Sequence, residues 1–348
     1  MAKPVKRQTV SELKTILCVS VKIQFFSILI LVVSCTSNQS EFIGVVSTEE
    51  LLNEIIENME SESIHRKQIN WDEFRKQVII VADSSASDSS TTFYGYERST
   101  LLAIRKALEL LNDGHSFYRT TYGSDIRVSN RTCSQSFIDI PEVPDNIGYL
   151  KIDGFSGFRN EEILYSSRIQ NKIKNQDRNG IIGWIIDLRG NTGGNMWPMI
   201  AGLGSLLGEG ILGYFVHPDG NSIEWAYNQS SSWFNGKIMH ELSKAPHELT
   251  NKNLPIAVLI DNRVTSSGEA VAISFKKRPN TKFFGTPTCG LSTANNGIPL
   301  QNGGMLFLTV AIMADRDKEL YGDSIAPDVV IEDPSKVVEQ AIKWLTSM

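Results

Sequence analysis

The chain has 348 residues, of which 41% are hydrophobic and 21% charged, a composition typical of a globular protein with a substantial core. Its formal net charge is −5, and its basic residues form no stripe, so there is no reason to expect a nucleic-acid partner. No cysteine and histidine spacing is typical of a zinc site, and we expect neither a metal nor a cofactor.

The first 35 residues differ from the rest of the chain. Basic residues are followed by a short apolar run, Ile23 to Cys35, which is shorter than the ~20 residues of a membrane span and typical of a signal peptide. Its end, Val-Val-Ser-Cys, is similar to a bacterial lipobox. We predict a lipoprotein signal peptide over 1–34, lipidation at Cys35, a flexible tether over 35–46 and a location in the bacterial cell envelope outside the cytoplasm. An uncleaved N-terminal anchor is the alternative.

The spacing of apolar residues changes along the chain. Helical spacing predicts a small helical subdomain over 47–145, with helices at 48–59, 71–82 and 100–111 and a polar loop at 84–92. From Ile147 onward, strands alternate with helices, which indicates an α/β core. The predicted strands are 147–152, 181–186, 256–260, 281–284 and 305–311. The predicted helices are 160–174, 197–207 and 335–345, and a β-ribbon is predicted at 213–233.

The segment Leu254 to Phe275 has the pattern of a buried strand that turns into a helix. The apolar strand ends at Ile260, and the sequence Val-Thr-Ser-Ser-Gly-Glu opens the helix. A sharp strand-to-helix turn presents a serine hydroxyl beside free backbone N–H groups, the arrangement that nucleophilic serine chemistry needs. Ordinary capping of a helix by serine or threonine is the alternative interpretation.

Two further segments carry groups that such a serine would need. The segment DLRGNTGG follows a buried strand and ends in Gly193 and Gly194, whose N–H groups are candidates for half of an oxyanion hole. It lacks the Gly-Lys-Ser/Thr step of a phosphate-binding loop, which disfavours nucleotide binding. His115 lies in the loop Asp-Gly-His-Ser, and imidazole can take a serine proton near neutral pH. The alternative interpretation of DLRGNTGG is an ordinary β–α turn, and that of His115 is a surface histidine without a catalytic role.

Four segments together resemble the tail-specific, or C-terminal processing, serine peptidases of family S41. They are DLRGNTGG, VTSSGEA after IAVLIDN, FFGTPTCG and LYGDSIAPDVVI, in that order over about 147–331. The resemblance implies a ClpP/crotonase-like α/β core over 146–348, with a cap or insertion at about 195–252.

The resemblance also assigns roles to residues of the candidate site. Ser266, three residues before Glu269, would be the nucleophile, and the N–H groups of Ser267 and of Gly193 or Gly194 would hold the oxyanion.

Two departures from the family pattern indicate a particular branch. Many members use a lysine at the position of Leu291, and they insert a PDZ domain for which the segment between His115 and Ile147 is too short. Another branch lacks the PDZ domain and uses a histidine in an Asp-Gly-His-Ser/Thr loop, which residues 113–116 match. His115 is therefore the predicted base.

The sequence leaves three points open or decides them only in part. The third catalytic group is either Glu269, on the same helical face as Ser266, or Asp323. The pattern Ser-x-x-Lys at 274–277 is shared with β-lactamases, but the accompanying motifs are missing. We therefore interpret it as the end of the Ser266 helix with solvated lysines. Cys133 and Cys289 are far apart in sequence, which leaves their pairing open.

These observations predict an extracytoplasmic serine endopeptidase that cleaves peptides or protein C-terminal tails through an acyl-enzyme. Its expected partners are a peptide or unfolded protein substrate and, through the lipid anchor, a membrane. The alternative is a non-catalytic peptide-binding or envelope-scaffold lipoprotein that retains the same fold.

Overall fold

The computed structural model describes residues 46–85, 92–93, 96–129, 131–133 and 142–348. The predicted signal peptide, Cys35 and almost all of the predicted tether lie outside the described residues. The described residues belong to one compact unit, Ile43–Met348. Within them, no helix is long and apolar enough to cross a membrane.

Three helices open the described chain, as predicted. They are α1 (Thr48–Glu62), α2 (Trp71–Ser85) and α3 (Arg98–Leu111), with a short ribbon of β1 (Thr92–Phe93) and β2 (Tyr96–Glu97) before α3. At the start of α1, the Glu50 carboxylate accepts from Ser47 N and the Ser47 hydroxyl accepts from Glu50 N, a capping box. The apolar stripe of α1, which ends at Met59, is buried along its length.

A five-stranded parallel sheet forms the centre of the α/β region. Its strands are β5 (Ile147–Lys151), β6 (Gly183–Asp187), β11 (Ile256–Ile260), β12 (Thr281–Gly285) and β15 (Val329–Val330), in the order β15-β12-β11-β6-β5. Every residue of β6 and β11 is buried, because helices cover both faces of the sheet.

Alternate residues of the central strands face two different helical layers. Val258 of β11 joins the main apolar cluster, which also contains residues of α4 (Asn160–Gln176), α5 (Met196–Leu207) and α6 (Ser267–Phe275). Leu259 joins the second cluster, formed with α7 (Val337–Thr346). The parallel sheet is therefore the middle of three layers.

A second, antiparallel sheet is organised around β14 (Met305–Ala314). Its other strands are β3 (Phe117–Arg119), β4 (Asp125–Arg127), β7 (Gly210–Val216), β8 (Ser222–Asn228), β9 (Ser231–Phe234), β10 (Lys237–Glu241) and β13 (Thr293–Pro299). The strands lie side by side in the order β10-β9-β8-β7-β14-β3-β4, and β13 also pairs with β14. Because β3 pairs with β14, the loop before β3 is fixed against the α/β region.

The structure differs from the predicted layout at several points. Strands β3 and β4 lie in the region predicted as helical, and β13, with the sequence TANNGIP, was not predicted because Asn, Gly and Pro are depleted in strands. The helix α5 lies inside the predicted cap, yet it is almost wholly buried and packs on α4 and α6. The boundary placed between 145 and 146 stays a prediction, since both sides contribute to one apolar cluster.

Candidate active site

Three loops meet at the carboxyl edge of the parallel sheet. The strands β6, β11 and β12 are neighbours, and each ends at this edge. The loop after β6 carries the two predicted oxyanion glycines, the turn after β11 carries Ser266, and the segment after β12 runs through Thr288 to Leu291. The carboxyl edge is where open α/β sheets bind ligands, because the loops there form a crevice.

Ser266 has an unusual backbone conformation at the start of α6. Its φ is 51° and its ψ is −119°, values that cost a residue other than glycine about 1–3 kcal/mol. The preceding residue is held in place because Thr265 N donates to the backbone oxygen of Asn191 at 3.1 Å. Ser266 is only partly buried, so it is not closed off from solvent.

The Glu269 carboxylate holds Ser266 in this conformation. It accepts hydrogen bonds from Ser266 N at 2.9 Å, from the Thr288 hydroxyl at 2.6 Å and from Gly290 N at 3.0 Å. Glu269 is fully buried, and burial raises its pKa to about 7 even though these donors favour the charged form. One carboxylate thus joins the serine turn to the segment after β12.

Two backbone N–H groups beside Ser266 are available to an oxyanion. Gly193 N donates to the Asn191 side chain at 2.9 Å, so Gly194 is the glycine left to supply a donor. Among the described residues, neither Gly194 N nor Ser267 N takes part in a hydrogen bond. The two loops touch, since a Cβ added to Gly193 would lie 3.0 Å from Ser267 N.

The structure also distinguishes the two adjacent serines. The Ser267 hydroxyl donates to the backbone oxygen of Gly194 at 2.5 Å, which ties the loop of Gly193 and Gly194 to α6. This contact gives the Ser267 side chain a structural partner, and it leaves Ser266 as the better candidate for the nucleophile, in agreement with the role that the family resemblance implies.

His115 is held in a loop that is fixed to the antiparallel sheet. The Asp113 carboxylate accepts from the backbone N–H groups of His115 at 2.8 Å and Ser116 at 2.7 Å. The His115 backbone oxygen accepts from the side chain of Asn295 on β13 at 3.0 Å, and Ser116 bonds to Thr309 on β14. The loop therefore has little freedom to move.

The imidazole of His115 is neutral at physiological pH. His115 is 9% exposed, and burial lowers its pKa to about 4, with Arg127 and Arg131 acting in the same direction and Asp113 against it. Its Nδ1 atom lies 2.8 Å from the Thr293 hydroxyl. When Nδ1 donates to that hydroxyl, Nε2 carries the lone pair that a general base requires.

The carboxylates considered as the third catalytic group do not contact the imidazole. Glu269 bonds to Ser266 N, and Asp323, whose side chain is 76% exposed, pairs with Arg131 at 2.7 Å. In the described parts of the chain, no hydrogen bond joins the His115 ring to Ser266 or to Glu269. The partner of the ring is Thr293, which the sequence analysis missed because we expected a carboxylate.

Cys133 and Cys289, whose pairing the sequence left open, form a disulfide with their Cα atoms 5.5 Å apart. The bridge joins the segment after β4 to the segment after β12. Arg131 reinforces this junction, because its guanidinium donates to the Cys289 backbone oxygen at 3.4 Å and to Asp323.

Other arrangements that resemble catalytic groups have structural explanations. The Ser166 hydroxyl lies 2.8 Å from His240 Nε2, and Glu162 lies 3.8 Å from the other ring nitrogen, but Ser166 is fully buried in the middle of α4. Ser274 is also buried, with its hydroxyl bonded to Ala270, while Lys277 pairs with a surface glutamate. In the part of the chain that the structure describes, no group of three or more His, Cys, Asp or Glu side chains has the arrangement of a metal site.

Comparison with known proteins identifies the family. The model of peptidase family S41 matches residues 146–331, more than half of the chain. The chain therefore belongs to peptidase family S41. This result confirms the family and the α/β core inferred from the four sequence segments.

Two relatives differ in how much of their length the chain covers. The nisin-resistance protein of Lactococcus lactis subsp. lactis is 29% identical over 295 residues, which cover 84% of this chain and 85% of that protein. The carboxy-terminal processing protease CtpA of Bacillus subtilis strain 168 is 27% identical over 191 residues, which cover 55% of this chain and only 36% of that protein.

Solved structures share the fold. A lipoprotein from Streptococcus agalactiae superposes with a TM-score of 0.65 at 23% identity and covers 86% of this chain and 96% of its own. The photosystem II D1 C-terminal processing protease superposes with a TM-score of 0.53 at 13% identity and covers 86% of this chain and 98% of its own. At these identities, the comparison establishes the fold alone.

Substitution of Gly194 tests how closely the loop of Gly193 and Gly194 packs. Gly194 has a φ of 109°, and an added Cβ would overlap the backbone carbonyl of Phe155. We expect Gly194→Ala to lower the free energy of unfolding by about 3 kcal/mol or more, from backbone strain plus overlap. The measurement is urea unfolding followed by circular dichroism.

The matched control is Gly123→Ala. Gly123 also has a positive φ, 80°, but an added Cβ there meets no atom within 4 Å, so only the strain of roughly 1–2 kcal/mol remains. Equal losses in the two variants would contradict the close packing of the loop of Gly193 and Gly194.

The pKa of Glu269 predicts a pH dependence of stability. Because the pKa in the folded state, about 7, lies above the usual value of 4.5, the folded protein binds this proton more tightly than the unfolded chain. The stability contributed by this carboxyl is fully present below pH 4.5 and is lost as the pH rises through 7. We therefore expect the free energy of unfolding of the wild type, minus that of Glu269→Gln, to fall between pH 4.5 and 8 in urea titrations.

Glu319→Gln provides a control of opposite sign. Lys277 holds the pKa of Glu319 below its usual range, so stability from this group is lost as the pH falls. The wild-type-minus-variant difference should then stay level or rise with pH. A difference for Glu269→Gln that also rises with pH would show that the Glu269 carboxyl is not held in a protonation-favouring site.

Proposed function

We propose that this member of family S41 is an extracytoplasmic serine endopeptidase in which His115 activates Ser266. The observation that carries the proposal is the conformation of Ser266, held at a positive φ at the start of a helix near the N–H groups of Ser267 and Gly194, which have no hydrogen-bond partner among the described residues. Strained backbone at an accessible serine, next to available donors, is the arrangement of a nucleophile with its oxyanion hole.

The reaction follows from these positions. The imidazole of His115 takes the Ser266 proton as Ser266 Oγ bonds to the carbonyl carbon of a peptide, and the N–H groups of Ser267 and Gly194 stabilise the oxyanion. Collapse of the tetrahedral intermediate breaks the C–N bond, and the imidazolium gives its proton to the leaving amine. Water, deprotonated by the same imidazole, then hydrolyses the acyl-enzyme.

The environment of His115 keeps its ring unprotonated at neutral pH. Burial lowers the pKa of His115 to about 4, so the ring lone pair is available, although a base with this pKa accepts a proton less readily than an unperturbed imidazole. The Thr293 hydroxyl orients the ring without adding a negative charge. This arrangement orients the base but stabilises the imidazolium less than a carboxylate partner would.

Support for the location and the substrate class comes from the leader and the relatives. The signal-peptide pattern, the nisin-resistance relative and the lipoprotein with the same fold support the cell envelope. The disulfide also suits an oxidising compartment. The processing proteases support cleavage of peptides or protein C-terminal tails, although the chain covers only 36% of CtpA.

The competing function is that of a non-catalytic peptide-binding or scaffold lipoprotein. One observation favours it: within the described residues, the His115 ring bonds to Thr293 and not to Ser266. Catalytic hydrogen bonds are often absent before a substrate binds, so the two functions are separated by measured turnover.

Substitutions at the two proposed catalytic residues test the function directly. We expect Ser266→Ala to abolish cleavage of an unstructured peptide library, and His115→Ala to lower kcat by about 10²–10⁴-fold because the general base is lost. Cleavage is measured by mass spectrometry, and circular dichroism checks that both variants fold.

Two further variants serve as controls. Ser267→Ala keeps the backbone N–H of residue 267 and removes one side-chain hydrogen bond. The rate of peptide cleavage should therefore fall by no more than about tenfold. His65→Ala, outside the site, should match the wild type. Undiminished cleavage by Ser266→Ala would rule out the proposed nucleophile, and a complete loss in Ser267→Ala alone would move that role to Ser267.

A further inference from the structure

The Cys133–Cys289 disulfide is attached to the segment that holds the nucleophile. Cys289 lies between Thr288 and Gly290, and both of these neighbours donate to the Glu269 carboxylate. That carboxylate in turn accepts from Ser266 N. A shift of the Cys289 backbone would therefore move two of the donors that fix the position of Glu269.

A second contact links Cys289 to the turn that precedes Ser266. The Cys289 N–H donates to the backbone oxygen of Val264 at 3.0 Å, two residues before the serine. Cys289 is 6% exposed, so its neighbours surround it on the inner side of the bridge. The position of the cysteine backbone and that of the serine turn are thus coupled through both a main-chain and a side-chain connection.

The other end of the bridge belongs to the part of the chain that carries the base. Cys133 follows the β3–β4 hairpin, and His115 directly precedes the same hairpin. The hairpin pairs with β14 through three residues of β3, and Phe117 stacks on Phe307 of β14. The disulfide and the Arg131–Asp323 ion pair fasten the far end of this short hairpin to the serine side of the site.

We propose that the Cys133–Cys289 disulfide is a redox-sensitive clamp that positions Ser266 and the β3–β4 hairpin, which directly follows His115, for catalysis. The activity part of this inference rests on the proposed peptidase function. Cys133 and Cys289 are positioning residues, since they act through Thr288, Gly290 and Glu269 and do not meet the substrate. The peptidase is then fully active only where the bridge stays oxidised.

The chemical step is thiol–disulfide exchange. A dithiol reductant attacks one sulfur, the S–S bond breaks, and a mixed disulfide forms; the second thiol of the reductant then displaces the remaining cysteine. The bridge gains two electrons and two protons to become two thiols, and the dithiol is oxidised to its cyclic disulfide. Cys133 is the half-buried end of the bridge, so it is the sulfur that a reductant reaches more easily.

The experiment compares the oxidised protein, the protein reduced with dithiothreitol and the variant Cys133→Ala. Hydrogen exchange of the Cys289 and Gly290 amides reports the position of the segment without any need for catalysis. A fluorophosphonate probe reports the reactivity of Ser266. We expect reduction or Cys133→Ala to speed exchange at these two amides about tenfold or more and to slow labelling of Ser266 about tenfold or more.

Controls separate a local displacement of the segment around Cys289 from a general loss of stability. Exchange in the buried strand β11 and the circular dichroism spectrum should not change, and reoxidation of the reduced wild type should restore both readouts. Because fewer donors would reach Glu269, the pH dependence of labelling should also move to higher pH in the reduced form.

The outcomes distinguish this inference from the proposed function. Equal exchange in the oxidised and reduced proteins, or labelling that is present and equal in both, overturns the clamp. Absence of labelling in the oxidised wild type counts against the peptidase function, and exchange at Cys289 and Gly290 then still decides whether the disulfide controls the position of the segment.

Discussion

The buried carboxylate of Glu269 is the group on which the candidate active site depends. A buried charge is costly unless several donors surround it, and here the donors come from two separate parts of the chain, the serine turn and the segment after β12. Satisfying one carboxylate therefore fixes the unusual backbone of Ser266 and sets the second segment beside it. Burial also raises the pKa of Glu269 to about 7, so the protonation state of this carboxyl changes with pH near neutrality.

His115, the proposed base, is held by a different set of contacts. The loop of His115 is fixed to β13 and β14, and Thr293, at the start of β13, holds the ring. Thr293 follows Gly290, a donor to Glu269, by three residues, so one short segment carries partners of both the serine turn and the histidine. The disulfide closes the same junction covalently. Together these contacts explain how segments far apart in sequence are held at one edge of the sheet.

The sequence predicted the features that depend on local pattern. The strand 256–260 has the bounds that its apolar run indicated, and the three N-terminal helices follow their apolar stripes. It did not predict β13, whose polar residues form a strand because β14 lies beside them. Nor did it predict Thr293 as the partner of His115 or the bonds of Glu269, because those depend on contacts between distant segments. The assignment of Ser266 as nucleophile and His115 as base remains a prediction from sequence and geometry.

The most direct test of this account is a crystal structure of the protein with a peptidyl boronate. We expect a covalent bond from boron to Ser266 Oγ, with one boronate oxygen about 2.7–3.1 Å from the N–H groups of Ser267 and Gly194 and with His115 Nε2 facing the serine oxygen. An adduct on another residue, or one whose oxygen points away from both N–H groups, would contradict the proposed site.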